Sequence, residues 1–152
     1  NHGATIVRWL AADTPVSATL RVGSVMPLTR SATGGAFLAS LPRETTASIV
    51  KKELAEHART GSTPTTLDEV ERTVTQTRKR GFAQTSEFIP GIGGVAAPVF
   101  DSSGSMVLAL IALGYSKPFD AAMTLISAAV LRKAAELSRR LGARLPEQLR
   151  SA

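Results

Sequence analysis

The chain has 152 residues, with 18 Lys and Arg against 12 Asp and Glu, two His and no Cys. This length fits one domain that buries roughly 70% of its unfolded surface, and 43% hydrophobic with 20% charged residues suits a globular chain. The lack of cysteine excludes disulfides, thiolate metal sites and cysteine nucleophiles.

His2 and Arg8 break any apolar stretch at the start, so no secretory signal is read there. The longest apolar run, Met106 to Leu113, is far below the roughly 18 residues of a membrane span. The expectation is a cytoplasmic protein with no membrane partner. In chain order, Thr5 to Ala11 and Ala18 to Leu28 read as two strands about a turn at Asp13-Thr14-Pro15. Leu20, Val22 and Met26 alternate on what would be the buried face. Ser31 reads as the N-cap of a short helix carrying Phe37, Leu38 and Leu41 and stopped by Pro42. A second helix, about Thr45 to Thr60, places Val50, Leu54 and Ala58 on one face and closes at Gly61. A third opens with a capping box, Thr66 to Glu69, carries Leu67, Val70 and Val74, and ends in Arg78-Lys79-Arg80 before Gly81.

Phe82 to Thr85 then reads as a short strand, and Glu87 to Gly94 as a loop with Pro90 and three glycines. Val95 to Phe100 and Ser105 to Tyr115 form a hairpin about Asp101-Ser102-Ser103-Gly104. Its second arm is apolar on both faces and is expected at the centre of the sheet. Pro98 has no N–H to donate, which puts its strand at an edge or a bulge there. Pro118 and Gly142 bracket a final helix of about 24 residues with Ala122, Ile126, Val130, Ala134, Leu137 and Leu141 along one side. The whole reads as one α+β domain: an antiparallel sheet flanked by helices, with a long C-terminal helix.

The formal charge of +6 raises a nucleic-acid reading. The basic residues, however, lie in scattered clusters at Lys51-Lys52, Arg78-Lys79-Arg80, Arg132-Lys133, Arg139-Arg140 and Arg144, with no interleaved aromatic residue. Solvated helix faces explain them better; a basic domain contacting nucleic acid directly is one alternative. Gly91-Ile92-Gly93-Gly94-Val95-Ala96 has the letters of a dinucleotide fingerprint. A strand follows where the fingerprint needs a helix N-terminus, so no cofactor is expected. Ser48-Ile49-Val50-Lys51 has S-x-x-K spacing without its companion motifs, and His57 reads as a solvated helical residue. No set of nucleophile and base supports the other alternative, a small-molecule-metabolising enzyme, and two His without Cys make no zinc site. Two features survive. One is the helix start Ser31-Ala32-Thr33-Gly34-Gly35, whose N–H groups are accessible. The other is the glycine loop at 91–94, whose backbone can approach a partner closely.

Both features lie in stretches that resemble the effector domain of IclR-type bacterial transcription regulators. Gly23 to Pro42, GSVMPLTRSATGGAFLASLP, is similar to the family's G-x-x-x-PL-(H)-x-(A/S)-x-G-K-A-LLA-x-L-P. Arg80 to Gly114, from RGFAQTSEF through AAPVFDSSG to LIALG, is similar to its RGYA…AAPVFD-x-x-G…G block. The resemblance implies a GAF-like, profilin-like fold with an effector pocket on one sheet face. It further implies a homodimer or homotetramer that meets operator DNA only through an N-terminal winged helix-turn-helix, which these residues do not include. By position it implies a pocket of Ala32 and Thr33 at the helix start, Gln84, the glycine loop at Gly93 and Gly94, and Ile111 with Leu113. Members that bind small oxo- or hydroxy-carboxylates carry Asp, Cys and two Ser where this chain has Gln84, Gly94, Ile111 and Leu113; Gly35 replaces the usual Lys. An unpaired buried polar group is unfavourable, so the expected small-molecule effector has an aromatic or aliphatic body. Its polar end would be held by Thr33, Gln84 and the N–H groups near Ala32 and Gly94. The alternative is a pocket filled by its own side chains.

Overall fold

The computed structural model describes residues 3–11, 13, 19–62 and 66–144, without the side chains of Ser86 and Glu87. It opens with a two-residue ladder, β1 (Ala4–Thr5) against β2 (Val25–Met26), in which Ala4 and Met26 are buried. The one-faced hairpin is therefore present, but much shorter than Thr5–Ala11 and Ala18–Leu28. The cause is a reversal at Arg21–Ser24. Ile6 N donates to Ser24 O at 2.9 Å and Ile6 O accepts from Gly23 N at 2.8 Å, and Ser24 N then bonds back to Arg21 O at 2.9 Å. Gly23 makes that reversal with φ +91°. The partner strand is lost, and Val7, Leu10 and Val22 stay exposed. Thr14, Pro15 and Ala18 lie outside the described residues.

Three helices follow: α1 (Ala32–Ser40), α2 (Arg43–Thr60) and α3 (Leu67–Arg80). Ser31 caps α1, Thr66 and Glu69 form both halves of the capping box on α3, and Gly61 and Gly81 close α2 and α3 at φ +68° and +78°. The buried stripe of α2 differs from the expected one. It consists of Thr46, Val50 and His57, while Ala58 is exposed. His57, expected in solvent, is only 6% exposed. Thr46, Val50, Glu53 and His57 follow one another at steps of four, three and four, and this row, not 50–54–58, is the one that turns inward.

The sheet holds β3 (Ala83–Ile89), β4 (Ile92–Phe100) and β5 (Met106–Tyr115), all antiparallel, in the order β3-β4-β5. The loop expected over Glu87–Gly94 shrinks to Pro90-Gly91, because Ile89 already pairs with Ile92 and Gly91 takes φ +77°. Proline followed by a glycine at positive φ closes a tight turn in two residues. Gly93 and Gly94 are consequently strand residues. β5 was expected at the centre; β4 is central instead. The doubly apolar pattern of β5 reflects cover on both faces: Leu108, Leu110 and Ala112 pack in one core cluster, Ala109 and Ile111 in another. Pro98 fits its strand because β3 begins pairing at Ala83–Ala96 and stops short of it, leaving Ala109 on β5 as its partner. At the hairpin tip Asp101 accepts hydrogen bonds from the side chain and backbone of Ser103 (2.6 and 2.8 Å) and from Ser105 N (3.1 Å). These bonds, led by the Ser103 hydroxyl, hold its carboxyl below the usual range.

The final helix is not continuous. α4 (Ser116–Ala121) and α5 (Met123–Arg140) meet at Ala122, which leaves helical geometry at φ −100°, ψ 9°. The break lets Phe119 plug into the sheet while α5 crosses it, packing Val130 and Ala134 on Val95, Ala97 and Val99. Ser138 on α5 is almost fully buried. Its hydroxyl donates to Ala134 O (2.8 Å) and accepts from Phe100 N (3.0 Å), beside the irregularity between Val99 and Phe100. Ser138→Ala leaves the Phe100 N–H without its partner and is expected to cost about 1–3 kcal/mol in urea denaturation. An unchanged midpoint would mean that the bulge N–H finds another acceptor. Among the described residues no helix is long and apolar enough to cross a membrane.

Candidate functional site

The start of α1 is built into the fold, not merely capped. The Ser31 hydroxyl donates to Pro27 O (2.7 Å) and accepts from Gly34 N (2.9 Å), while Ser31 O accepts from Gly35 N (2.9 Å). Gly34 lies so close to the preceding loop that a Cβ there would overlap the backbone of Pro27 and Leu28. At Gly35 a Cβ would stand 2.9 Å from Ala83 Cβ, which is why no longer side chain fits there without displacing α1.

Two long-range contacts hold the loop at 27–31. The Glu53 carboxylate on α2 accepts from Leu28 N (2.8 Å), Thr29 N (2.8 Å) and Thr29 Oγ1 (2.7 Å). From below, Thr85 Oγ1 on β3 donates to Arg30 O at 3.3 Å. Sequence reasoning missed Glu53 and Thr85. The only trace of Glu53 was its place in the inward row of α2, and Thr85 stands one position beyond the residue chosen.

The pairing register assigns the faces, because directly opposed residues share a face. Ala83, Ala96 and Ile111 are one row; Thr85, Gly94 and Leu113 are the next. Both rows face α1, since Ala32 and Ala36 pack with Ala83, Ala96 and Ile111. Gln84 pairs with Val95 and Ala112, which face α5. Gly93 pairs with Gly114, and the Phe119 ring covers both. Of the residues expected at the pocket, Ala32, Thr33, Gly94, Ile111 and Leu113 are thus brought to one side. Gln84 and Gly93 are corrected to the opposite side: with a side-chain period of two, one residue of error inverts the face. Thr85 takes the place foreseen for Gln84.

Under the middle of α1 this face is solid, for Ala32, Ala36, Ala83 and Ala96 are each at most 2% exposed. Toward the helix start it loosens. Thr33, Thr85, Ile111 and Leu113 are half-buried, and Leu113 lies over Gly94, its Cδ2 3.0 Å from where a Cβ would stand. What this arrangement offers chemically is an apolar floor, two hydroxyls and the first N–H groups of a helix. Three other features give no site. The fingerprint letters at 91–96 run through a turn into a strand and lead to no helix N-terminus. Ser48 and Lys51 are both exposed on α2. A depression of about 450 Å³ lined by Asp68, Glu71, Arg72, Thr75 and Gln76 lies among exposed residues of α3. Among the described residues no group of three or more His, Asp or Glu is placed to hold a metal.

A short capped helix and a long final helix on opposite faces of an antiparallel sheet define an α+β domain of the kind that bacterial transcriptional regulators carry as their effector-binding part. The family model described as bacterial transcriptional regulator IclR C-terminal matches residues 1–139, and the chain belongs to that family. The crystal structure of Pseudomonas aeruginosa HmgR is similar at 30% identity and a TM-score of 0.81, over 95% of this chain and 57% of that one. That of Thermotoga maritima IclR is similar at 27% identity and 0.74, over 88% of this chain and 54% of that one. The C-terminal domain of the E. coli transcriptional regulator KdgR shares the fold at 22% identity and 0.65, over 80% of this chain and 74% of that one. The chain therefore spans a little over half of HmgR and of the Thermotoga protein. No curated protein sequence matches it. The family and these structural relatives are transcriptional regulators, not enzymes.

Proposed function

We propose that this chain senses a small-molecule effector on the α1 face of its sheet. Occupancy would change the promoter affinity of a winged helix-turn-helix carried in the same cytoplasmic regulator. The supporting observation is the row Thr85, Gly94 and Leu113 on the face that α1 covers, where Thr85, Leu113 and the neighbouring Ile111 are half-buried beside a face that is otherwise closed. The effector's aromatic or aliphatic body rests on Ile111 and Leu113, and its polar end meets the threonines and the N–H groups at Ala32 and Thr33. The domain catalyses nothing; it assembles as a homodimer or homotetramer, and operator DNA is met through the other module alone. An effector acts only through unequal affinity for two regulator states.

The test is a thermal-shift panel of neutral and acidic aromatic and aliphatic compounds, followed by amide chemical shifts at Gly94 and Leu113. Ligands with an apolar body are expected to stabilise the chain by about 2.7 kcal/mol at a hundred times Kd and to move those two amides. Stabilisation by small polar acids alone, or shifts confined to another face, overturns the reading. In a gel shift this chain alone is expected to form no sequence-specific complex.

A further inference from the structure

We propose that occupancy of the α1 face is relayed through the sheet to the joint between α4 and α5, with the Phe119 ring as the moving part. The proposal rests on the sensor reading above and names how that site would act on the rest of the regulator. Where β4 begins, Gly93 pairs with Gly114 and Gly94 with Leu113. Successive strand residues look to opposite faces, so Gly94 and Leu113 border the α1 face while Gly93 and Gly114 seat the ring. A Cβ on Gly94 would stand 3.0 Å from Leu113 Cδ2 and 3.6 Å from Thr85 Cγ2, and one on Gly93 would stand 2.8 Å from Phe119 Cδ1. One peptide unit separates the two contacts. Three of the four residues at this corner are glycine, whose backbone is the least restrained and weakens a strand. The corner therefore yields where the neighbouring row Ala83, Ala96 and Ile111, which carries side chains, does not.

A signal crosses a fold through an element that has two arrangements. The helix α4 is built for that. It has six residues and no side-chain cap. Its start is tied to the β3–β4 turn, where Ser116 N donates to Gly91 O at 2.9 Å, and its middle is held by Phe119, 4% exposed, on the two glycines. Both attachments stand on the short stretch 91–93 and its partner Gly114. At the other end Ala122 leaves helical geometry, and Ile126 N donates to Ala122 O at 3.0 Å to begin α5. A ligand pressing on Leu113 and Gly94 shifts that stretch, the ring loses its flat seat, and the angle at Ala122 changes. Val130 and Ala134 keep α5 on the sheet beyond the joint, so the movement is a swing of α4 against α5. The effector then favours the regulator state in which the ring is lifted.

Gly94→Ala on this chain is a covalent stand-in for the effector's pressure, because the atoms nearest the added methyl are Leu113 Cδ2, Thr85 Cγ2 and Ala112 O, and none belongs to Phe119. In NMR spectra the α-protons of Gly93 and Gly114 lie against the ring and should be displaced upfield by its current. Gly94→Ala is expected to carry them back toward ordinary glycine values and to speed exchange of the Ala122 and Ile126 amides by about tenfold. Leu113→Ala, which removes the side chain lying over Gly94, should move the same protons and serves if Gly94→Ala does not fold. Ile111→Ala removes a side chain of equal size from the same face one row along, and should leave those protons and amides as in wild type. Still α-protons in both Gly94→Ala and Leu113→Ala overturn the relay, as does equal movement in Ile111→Ala, which would show general loosening. Neither result touches the sensor reading, which falls only if the ligand panel above leaves the Gly94 and Leu113 amides in place.

Discussion

Gly34→Ala is expected to destabilise the domain by about 3 kcal/mol or more, the upper end of what overpacking does. The usual effect of the change, a gain of roughly 1 kcal/mol in helix propensity, runs the other way. The difference lies in what the new methyl group meets. At Gly34 it overlaps the backbone of Pro27 and Leu28, which has no rotamer to give way. Relief requires moving the loop at 27–31, and the loop cannot move without loosening the Ser31 cap and the bonds from Leu28 and Thr29 to Glu53. Gly35→Ala is the milder comparison: its methyl would stand 2.9 Å from the Ala83 Cβ, so α1 or β3 must shift, but it meets one side-chain atom and not three backbone atoms. Urea denaturation is expected to rank Gly34→Ala well below Gly35→Ala and wild type. Equal midpoints for the two variants would show that the loop is not wedged against α1. Because Arg30 and Thr33 flank this wedge, Gly34→Ala should also weaken ligand binding at the α1 face.

Gly114→Ala should have an effect of similar size through the opposite face. A Cβ on Gly114 would stand 2.5 Å from Phe119 Cδ2, and one on Gly93 would stand 2.8 Å from Cδ1. The two glycines are cross-strand partners, so together they form the flat seat on which the ring lies. Either alanine tilts the ring out and is expected to cost about 2–3 kcal/mol. Phe119→Ala empties the seat and should cost about 3–5 kcal/mol. In the double variant Gly114→Ala, Phe119→Ala the clash is gone and part of the void is filled. Its total should fall short of the sum of the single changes by about 1 kcal/mol or more. Strict additivity would mean that the ring does not rest on Gly114. Gly93, expected from the sequence at the effector pocket, then acts as part of this seat, and Gly93→Ala should change stability without changing ligand selectivity.

These two glycine pairs illustrate how far local reasoning reached. The Gly34-Gly35 pair was visible as a helix start, and the Gly93-Gly94 pair as backbone open to close approach. What each glycine is close to was not visible. Gly34 and Gly35 touch elements that come before and long after them in the chain, and Gly93 and Gly94 look in opposite directions. Gln84 failed for the same reason: one place along β3 separates an exposed residue facing α5 from Thr85, which holds the Arg30 carbonyl. Glu53 carried no motif at all, for its partners lie 24 and 25 residues earlier. The long final helix was read as unbroken because its apolar spacing runs through Ala122; the turn there follows from anchoring Phe119 to the sheet.

By itself the sequence determined, to within two residues, where the first three helices begin and end, because Ser31, Pro42, Gly61, Thr66 and Gly81 act on atoms within about four residues. It also determined the hairpin about Asp101–Gly104 and the α+β character of the domain. Only the tertiary structure decided which strand is central, which face each glycine serves, and that Thr85, Gly94 and Leu113 form one row on the α1 face. Those are matters of register and docking between segments far apart in the chain. A pleated strand looks alike from both sides until something packs on one of them.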